Sequence, residues 1–110
     1  MTANVSNVTE QTFQAEVLES DRPVLVDFYA DWCGPCRAVA PVVESVASDY
    51  AGRLDVRKVD IDSAQELAGR YNIRSIPTLI VFENGEPRTQ LVGAMSRAEL
   101  ANAIDPLVAA

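Results

Sequence analysis

Cys33 and Cys36 are the only thiols in 110 residues, and they stand together in the segment Trp32-Cys33-Gly34-Pro35-Cys36. Two thiols at this spacing can serve as a structural staple, as half of a metal site or as a reversible redox couple. A staple that closes so short a loop removes only about 2 kcal/mol of unfolded-state entropy, against about 4.7 kcal/mol for a 100-residue loop. Zinc needs two further ligands, and the chain has no third cysteine and no histidine. Only a site shared between two chains would supply them, so no metal is expected. Thiol–disulfide exchange needs nothing beyond the pair. Residues i and i+3 of a first helical turn have Cα atoms roughly 5 Å apart, within disulfide reach, so the bond opens and closes with little backbone movement. Cys33, at the helix start, faces unpaired amides and the positive dipole end, which favour a thiolate. Cys36, one turn in, is expected to be more enclosed and closer to a protonated thiol. One sulfur attacks and the other resolves.

Six residues before Cys33, Asp27 interrupts the apolar run Val24 to Ala30. An unpaired buried charge is costly, so such a carboxyl stays neutral or finds a partner. Burial raises its pKa toward the range useful to a general base, and the absence of histidine leaves few other candidates. Lys58 is the one lysine among nine basic residues. Leu54, Val56 and Lys58 share a strand face at period two, which points the lysine toward the core side.

The elements that must hold these groups are legible from periodicity. Thr9 is placed to cap a short helix with Phe13 and Val17 on one face. Val24 to Ala30 has the pattern of a strand covered on both faces. A helix from about Gly34 toward Tyr50 carries the stripe Val39, Val42, Val43, Val46 and Tyr50, with Pro41 expected to kink it. Leu54 to Ile61 reads as a strand, and Asp62 with Gln65 as a capping box for a helix bearing Leu67 and Tyr71. Thr78 to Glu83, Asn84-Gly85 and Glu86 to Val92 read as a hairpin, its second strand marked as an edge by Pro87. Ser96 and Glu99 form a second capping box for a helix burying Leu100, Ile104, Leu107 and Val108, with Pro106 near its end. With a weak first strand at Val5 and Val8, the order is βαβαβαββα. Alternation of strands and helices predicts parallel pairing, and the closing hairpin adds antiparallel pairing.

The whole chain, residues 1–110, is expected to be a single α/β domain. The formal net charge is −7, which argues against binding nucleic acid or an anionic membrane. No apolar run approaches the roughly 20 residues needed to span a bilayer. The start, MTANVSNVTEQ, lacks the basic and long apolar stretches of a signal peptide, so a cytoplasmic location is expected.

Asp27 in its buried strand, Trp32-Cys33-Gly34-Pro35-Cys36, the interior Pro41, Arg74-Ser75-Ile76-Pro77-Thr78, the Phe82-Glu83-Asn84-Gly85 turn and Val92-Gly93-Ala94 follow one another in an order that resembles the thioredoxin family over nearly the whole chain. The resemblance implies a thioredoxin fold, a central mixed five-stranded sheet flanked by four helices. It implies a protein-disulfide reductase in which Cys33 attacks a client disulfide and Cys36 resolves the mixed disulfide. It places Asp27 beneath the pair as the base for Cys36, with Lys58 tuning it electrostatically. Strongly oxidising members of the wider fold carry a histidine between the cysteines, which favours the thiolate and hence the reduced form; Gly34-Pro35 supplies no cation, so this couple is expected to give up electrons.

The resemblance implies that Ile76-Pro77 is cis and faces the cysteines, and a cis-proline exposes backbone for strand-like pairing with a client. Trp32, Gly34, Pro35, Ile76, Pro77, Val92, Gly93 and Ala94 are the expected client-facing surface; Ile61, near this rim, fits ordinary packing better. No bound cofactor is expected. By resemblance, electrons come from NADPH through a separate flavin enzyme, thioredoxin reductase, and the partners are that reductase and many disulfide-containing clients of a monomeric protein. Tyr29 where many members have tryptophan, Ser75 for a frequent glycine and the added acid Asp31 depart from the pattern. Two other readings use the same residues: a binding module with idle cysteines, and an oxidase or isomerase with reversed electron flow.

Overall fold

The computed structural model describes residues 5–109; the first four residues of the N-terminal stretch read above lie outside them. Five strands, β1 (Val5–Asn7), β2 (Val24–Tyr29), β3 (Asp55–Asp60), β4 (Thr78–Glu83) and β5 (Glu86–Val92), make one mixed sheet in the order β1-β3-β2-β4-β5. Four helical segments accompany them: α1 (Gln14–Leu18), α2 (Gly34–Asp49), α3 (Gln65–Arg70) and α4 (Arg97–Ile104). The expected βαβαβαββα order holds, and the predicted limits of β4 and β5 coincide with those observed.

Strand alternation sorts β2 into two cores. Val24, Val26 and Phe28 pack with Phe13, Leu67 and Phe82 on one side of the sheet. Leu25 packs with Val39, Val43, Val46, Leu100 and Ile104 on the other. Asp27, two residues from Leu25, shares the second side. Both faces of β2 are therefore covered, which is why its sequence is apolar almost throughout.

Helix ends account for several local features. Thr9 opens the turn that leads into the first segment, its Oγ1 accepting from the Gln11 amide at 3.2 Å and its carbonyl from the Phe13 amide at 2.9 Å. The segment itself starts after Phe13 and has no side-chain cap, so the expected Thr9 cap does not form. That segment is wound wide, with the Glu19 amide bonding the Gln14 carbonyl at 2.9 Å. The helix α2 continues through Pro41 to Asp49, with Pro41 on its exposed side, where the carbonyl that loses its partner can be solvated. The α4 capping box forms as expected: Ser96 Oγ accepts from the Glu99 amide at 3.1 Å and Glu99 Oε1 from the Ser96 amide at 2.9 Å. Leu107 and Val108 pack on the core from beyond the helix, because the chain tightens into a 3-10 turn over Asp105–Leu107 at Pro106.

The expected capping box of Asp62 and Gln65 does not form. The residue preceding α3 is Ala64, without a side-chain cap, and the Glu66 amide instead donates to the Glu10 carboxylate at 2.7 Å. An acid from a loop 56 residues away satisfies the helix N-terminus, where negative charge is favoured. Glu10→Ala is expected to destabilise the protein by about 1 kcal/mol, the usual scale of a lost cap. Urea denaturation checks this; an unchanged midpoint would show that the contact contributes nothing.

The direction of β4 departs from the parallel pairing that alternation predicts. β1 and β2 both pair parallel with β3, but β4 runs antiparallel to β2, with Thr78 opposite Phe28. Residues 61–77 connect Asp60 to Thr78 at one end of the sheet, the end where β2 delivers Tyr29 to the cysteines. Beyond it, Asn84 and Gly85 take φ of 54° and 81°, the positive values a two-residue hairpin turn needs. Pro87 lies on the edge strand opposite Phe82, at an irregularity where Val81 pairs with Thr89.

Candidate active site

Cys33 is the residue before the first turn of α2, and Cys36 lies within that turn. They are joined in a disulfide with Cα atoms 5.2 Å apart, close to the separation expected for i and i+3. Cys33 Sγ accepts the Cys36 amide at 3.1 Å. When the bond is reduced, that N–H and the helix end favour negative charge on this sulfur.

The expectation that Cys36 is the more enclosed residue does not hold in the oxidised pair, where Cys33 is 4% and Cys36 5% exposed. What separates them is what they face. Cys33 lies against the loop before β4, with the Ile76 carbonyl oxygen 3.7 Å from its sulfur. Cys36 lines a half-open pocket of about 130 Å³ together with Asp27, Tyr29, Ala40 and Lys58. A space of that size holds several water molecules.

Asp27 is 2% exposed, and its Oδ1 has no hydrogen-bond partner among the described residues. Burial pushes its carboxyl up from the ordinary 3.8 to about 6, against the opposing pull of the Lys58 charge. A carboxyl near neutrality can hold or release a proton within the working range of a thiol. Lys58 pairs directly with Asp27 across β2 and β3 and reaches the same pocket, so the predicted inward orientation is correct. Its ammonium lies 4.4 Å from the centre of the Tyr29 ring.

The surface around Cys33 comes from four segments. Trp32 is 66% and Val92 58% exposed, the two large apolar side chains most open to solvent among the described residues. Ile76-Pro77 is cis, as expected, and the Pro77 carbonyl accepts the Gly93 amide at 2.8 Å. That bond docks Val92, Gly93 and Ala94 beside the loop, and the φ of +89° at Gly93 is one that glycine adopts readily. Gly34 and Pro35 are exposed on the helix start. Ile61 is half-buried and packs against both the cysteine cluster and the neighbouring core.

Asp62, the expected helix cap, instead supports this surface, its Oδ2 accepting Trp32 Nε1–H at 2.9 Å. The two residues are 30 positions apart, so no local pattern signals the bond. Arg37 steadies the approach to Cys33 by donating to the Asp31 carbonyl at 2.6 Å.

Residues 4–106 match the family model described as Thioredoxin. Among characterised proteins, the chain is 50% identical over 105 residues to Thioredoxin C-2 of Corynebacterium nephridii, covering 96% of this chain and 97% of the relative. It is 46% identical to the thioredoxin of Pseudomonas aeruginosa, again over 96% and 97%. With Thioredoxin 1 of Synechococcus elongatus the identity is 52% over 89% of this chain and 92% of the relative.

The chain belongs to the thioredoxin family. As a thioredoxin-family protein it is a thiol–disulfide oxidoreductase of protein disulfides, and Cys33-Gly34-Pro35-Cys36 is its CxxC segment. The departures from the family pattern lie around the pair rather than within it: Tyr29 and Asp31 line the pocket beside Cys36, and Ser75 accepts a hydrogen bond from Thr78 Oγ1 at 2.5 Å through its carbonyl. Among the described residues, no group of three or more His, Cys, Asp or Glu side chains is arranged to hold a metal ion. No described helix is long and apolar enough to cross a membrane.

Proposed function

We propose that the chain, acting as one domain, is a general reductant of protein disulfides in which Cys33 attacks, Cys36 resolves and Asp27 is the base. The observation that carries this reading is the pocket shared by Asp27 and Cys36, next to a Cys33 whose sulfur lies against the Ile76 carbonyl. The Cys33 thiolate attacks one sulfur of the client disulfide, and the other leaves as a thiolate that takes up a proton. Cys36 then passes its proton to Asp27, directly or through water in the pocket. The Cys36 thiolate attacks Cys33 Sγ, and the second client sulfur departs and is protonated in turn. The client has gained two electrons and two protons, and the Cys33–Cys36 disulfide has formed.

Trp32, Ile76, Pro77 and the Val92-Gly93-Ala94 edge offer the client a shallow apolar surface and free backbone groups, with Gly34 and Pro35 shaping its floor. Contacts of that kind suit many clients. The pair returns to the dithiol with electrons from NADPH through a separate flavin-containing thioredoxin reductase, in a cytoplasmic, monomeric protein that maintains cell redox balance. Lys58 supports the charge on Asp27 once the base has given up its proton.

Equilibration of the Cys33–Cys36 couple with a defined dithiol buffer tests the direction of electron flow. With no cation between the cysteines, the expected potential is more negative than the glutaredoxin range of about −200 to −230 mV. A value above about −180 mV, the region of oxidising members of the fold, would reverse the assignment. Absence of a reversible couple would leave a binding module.

A further inference from the structure

The proposed proton transfer requires Asp27 to gain and lose a proton, yet the chain places its only lysine opposite that residue in the sheet. Adjacent strands lie about 4.8 Å apart, so a lysine in that register is within easy reach of the carboxylate. A closed ion pair would hold Asp27 ionised and make it a weak base. Lys58 forms no ion pair among the described residues. Its ammonium instead sits 4.4 Å from the centre of the Tyr29 ring, inside the range of cation–π attraction, while Asp27 Oδ1 is left without a partner.

We propose that Tyr29 is a positioning residue: its ring face holds the Lys58 ammonium off the Asp27 carboxyl, so that Asp27 remains free to exchange a proton with Cys36. The importance of that exchange rests on the function proposed above; the placement of the lysine does not. Tyr29 is suited to the task because β2 alternation puts it on the same side of the sheet as Asp27, two residues further along and lining the same pocket. The attraction is to the π face, so the hydroxyl is dispensable and any aromatic ring of similar reach would serve.

The other groups near the pair do not substitute for it. Cys36, Arg37 and Ala40 approach from α2, and Asp31 from the loop after β2. Arg37 donates to the Asp31 backbone. Glu44, from the next turn but one of α2, lines a small space on the far side that Asp27 and Lys58 also reach. Leu79, opposite Asp27 on β4, is neutral. Asp60, near Tyr29, and Asp31 add negative charge that keeps the phenol protonated, its pKa being pushed up by burial and by these carboxylates.

Titration of the Asp27 carboxyl by carbon NMR in the oxidised full-length protein reads this directly, without reference to turnover. In Tyr29→Leu the released ammonium is expected to approach Asp27 and lower its midpoint by about one pH unit or more, whereas Tyr29→Phe and Tyr29→Trp keep the parent value. In a Lys58→Met background, Tyr29→Leu is expected to leave the midpoint nearly unchanged. An equal fall in that background would mean that the ring merely excludes water, and the proposal would be overturned. No fall in Tyr29→Leu, or a fall in Tyr29→Phe as well, overturns it too. The unmodified protein supplies a check that needs no variant to fold: the Lys58 ε-methylene protons are expected upfield through the Tyr29 ring current, and ordinary shifts would refute the contact. If Asp27→Ala leaves resolution of the mixed disulfide unchanged, the base role fails while the titration result stands.

Discussion

Cys33→Ser is expected to abolish reduction of protein disulfides, with turnover falling by roughly three orders of magnitude or more, because a serine hydroxyl is not ionised near neutrality and is a poor nucleophile toward sulfur. Cys36→Ser has a different expected outcome. Its backbone N–H still points at Cys33 Sγ, 3.1 Å away, so the first attack survives. What is lost is the second sulfur. The reaction then stops at a mixed disulfide between Cys33 and the client, visible as a mass adduct on the intact protein and reversed by excess dithiol. The asymmetry between the variants is the informative part, since in the oxidised pair the two cysteines are buried alike. Multiple turnovers by Cys36→Ser, or an adduct trapped on Cys36 in Cys33→Ser at a comparable rate, would exchange or dissolve the assigned roles.

Asp27→Ala is expected to make the protein more stable at neutral pH and slower in catalysis. The native carboxyl titrates at about 6, against 3.8 for an ordinary aspartate, mainly because it is buried. Below the ordinary value both folded and unfolded states carry the proton, and the residue costs little beyond its packing. Between the two values the unfolded chain ionises while the folded one holds its proton. Stability therefore falls as pH rises through that window and remains lower above it. The difference corresponds to about 3 kcal/mol at 1.36 kcal/mol per pKa unit.

Alanine removes that penalty and introduces a smaller one from lost packing. A net gain of about 1–3 kcal/mol is expected at pH 8, with little or no gain near pH 4. Urea unfolding at both pH values measures the contrast, and equal effects at the two would exclude a raised native pKa. Resolution of the mixed disulfide is expected to slow by about tenfold to a hundredfold near neutrality, at the lower edge of general-base contributions. The two readouts separate burial from base function. A stabilised variant with full turnover would leave Asp27 buried but catalytically idle.

Much of this site is written in short-range pattern. The cysteine spacing, the Asn84-Gly85 turn, the Ser96–Glu99 capping box and the period-two alternation of β2 are relations among residues a few positions apart. Each element can satisfy them before any tertiary contact forms, which is why the limits of β4 and β5 and the chemistry of the pair are readable from residue order. Asp27 belongs here too, because a carboxylate inside an apolar strand announces a costly environment whichever helix covers it.

Other features depend on where distant segments meet. Glu10 rather than Asp62 caps α3, which leaves Asp62 to hold the Trp32 indole. The reading failed there because a local capping pattern and a long-range partner competed for the same helix end. The Tyr29–Lys58 contact and the pocket beside Cys36 need β3 beside β2 in one register, a matter of sheet order. The largest case is β4. Alternating strands and helices favour parallel pairing, but β4 pairs antiparallel with β2. β4 therefore starts at the end where β2 stops, and Ile76-Pro77 arrives beside Cys33. Residue types and spacings determined that this chain exchanges disulfides; the tertiary structure decided which segments surround Cys33, because the direction of β4 is set by its pairing with β2, far away in sequence.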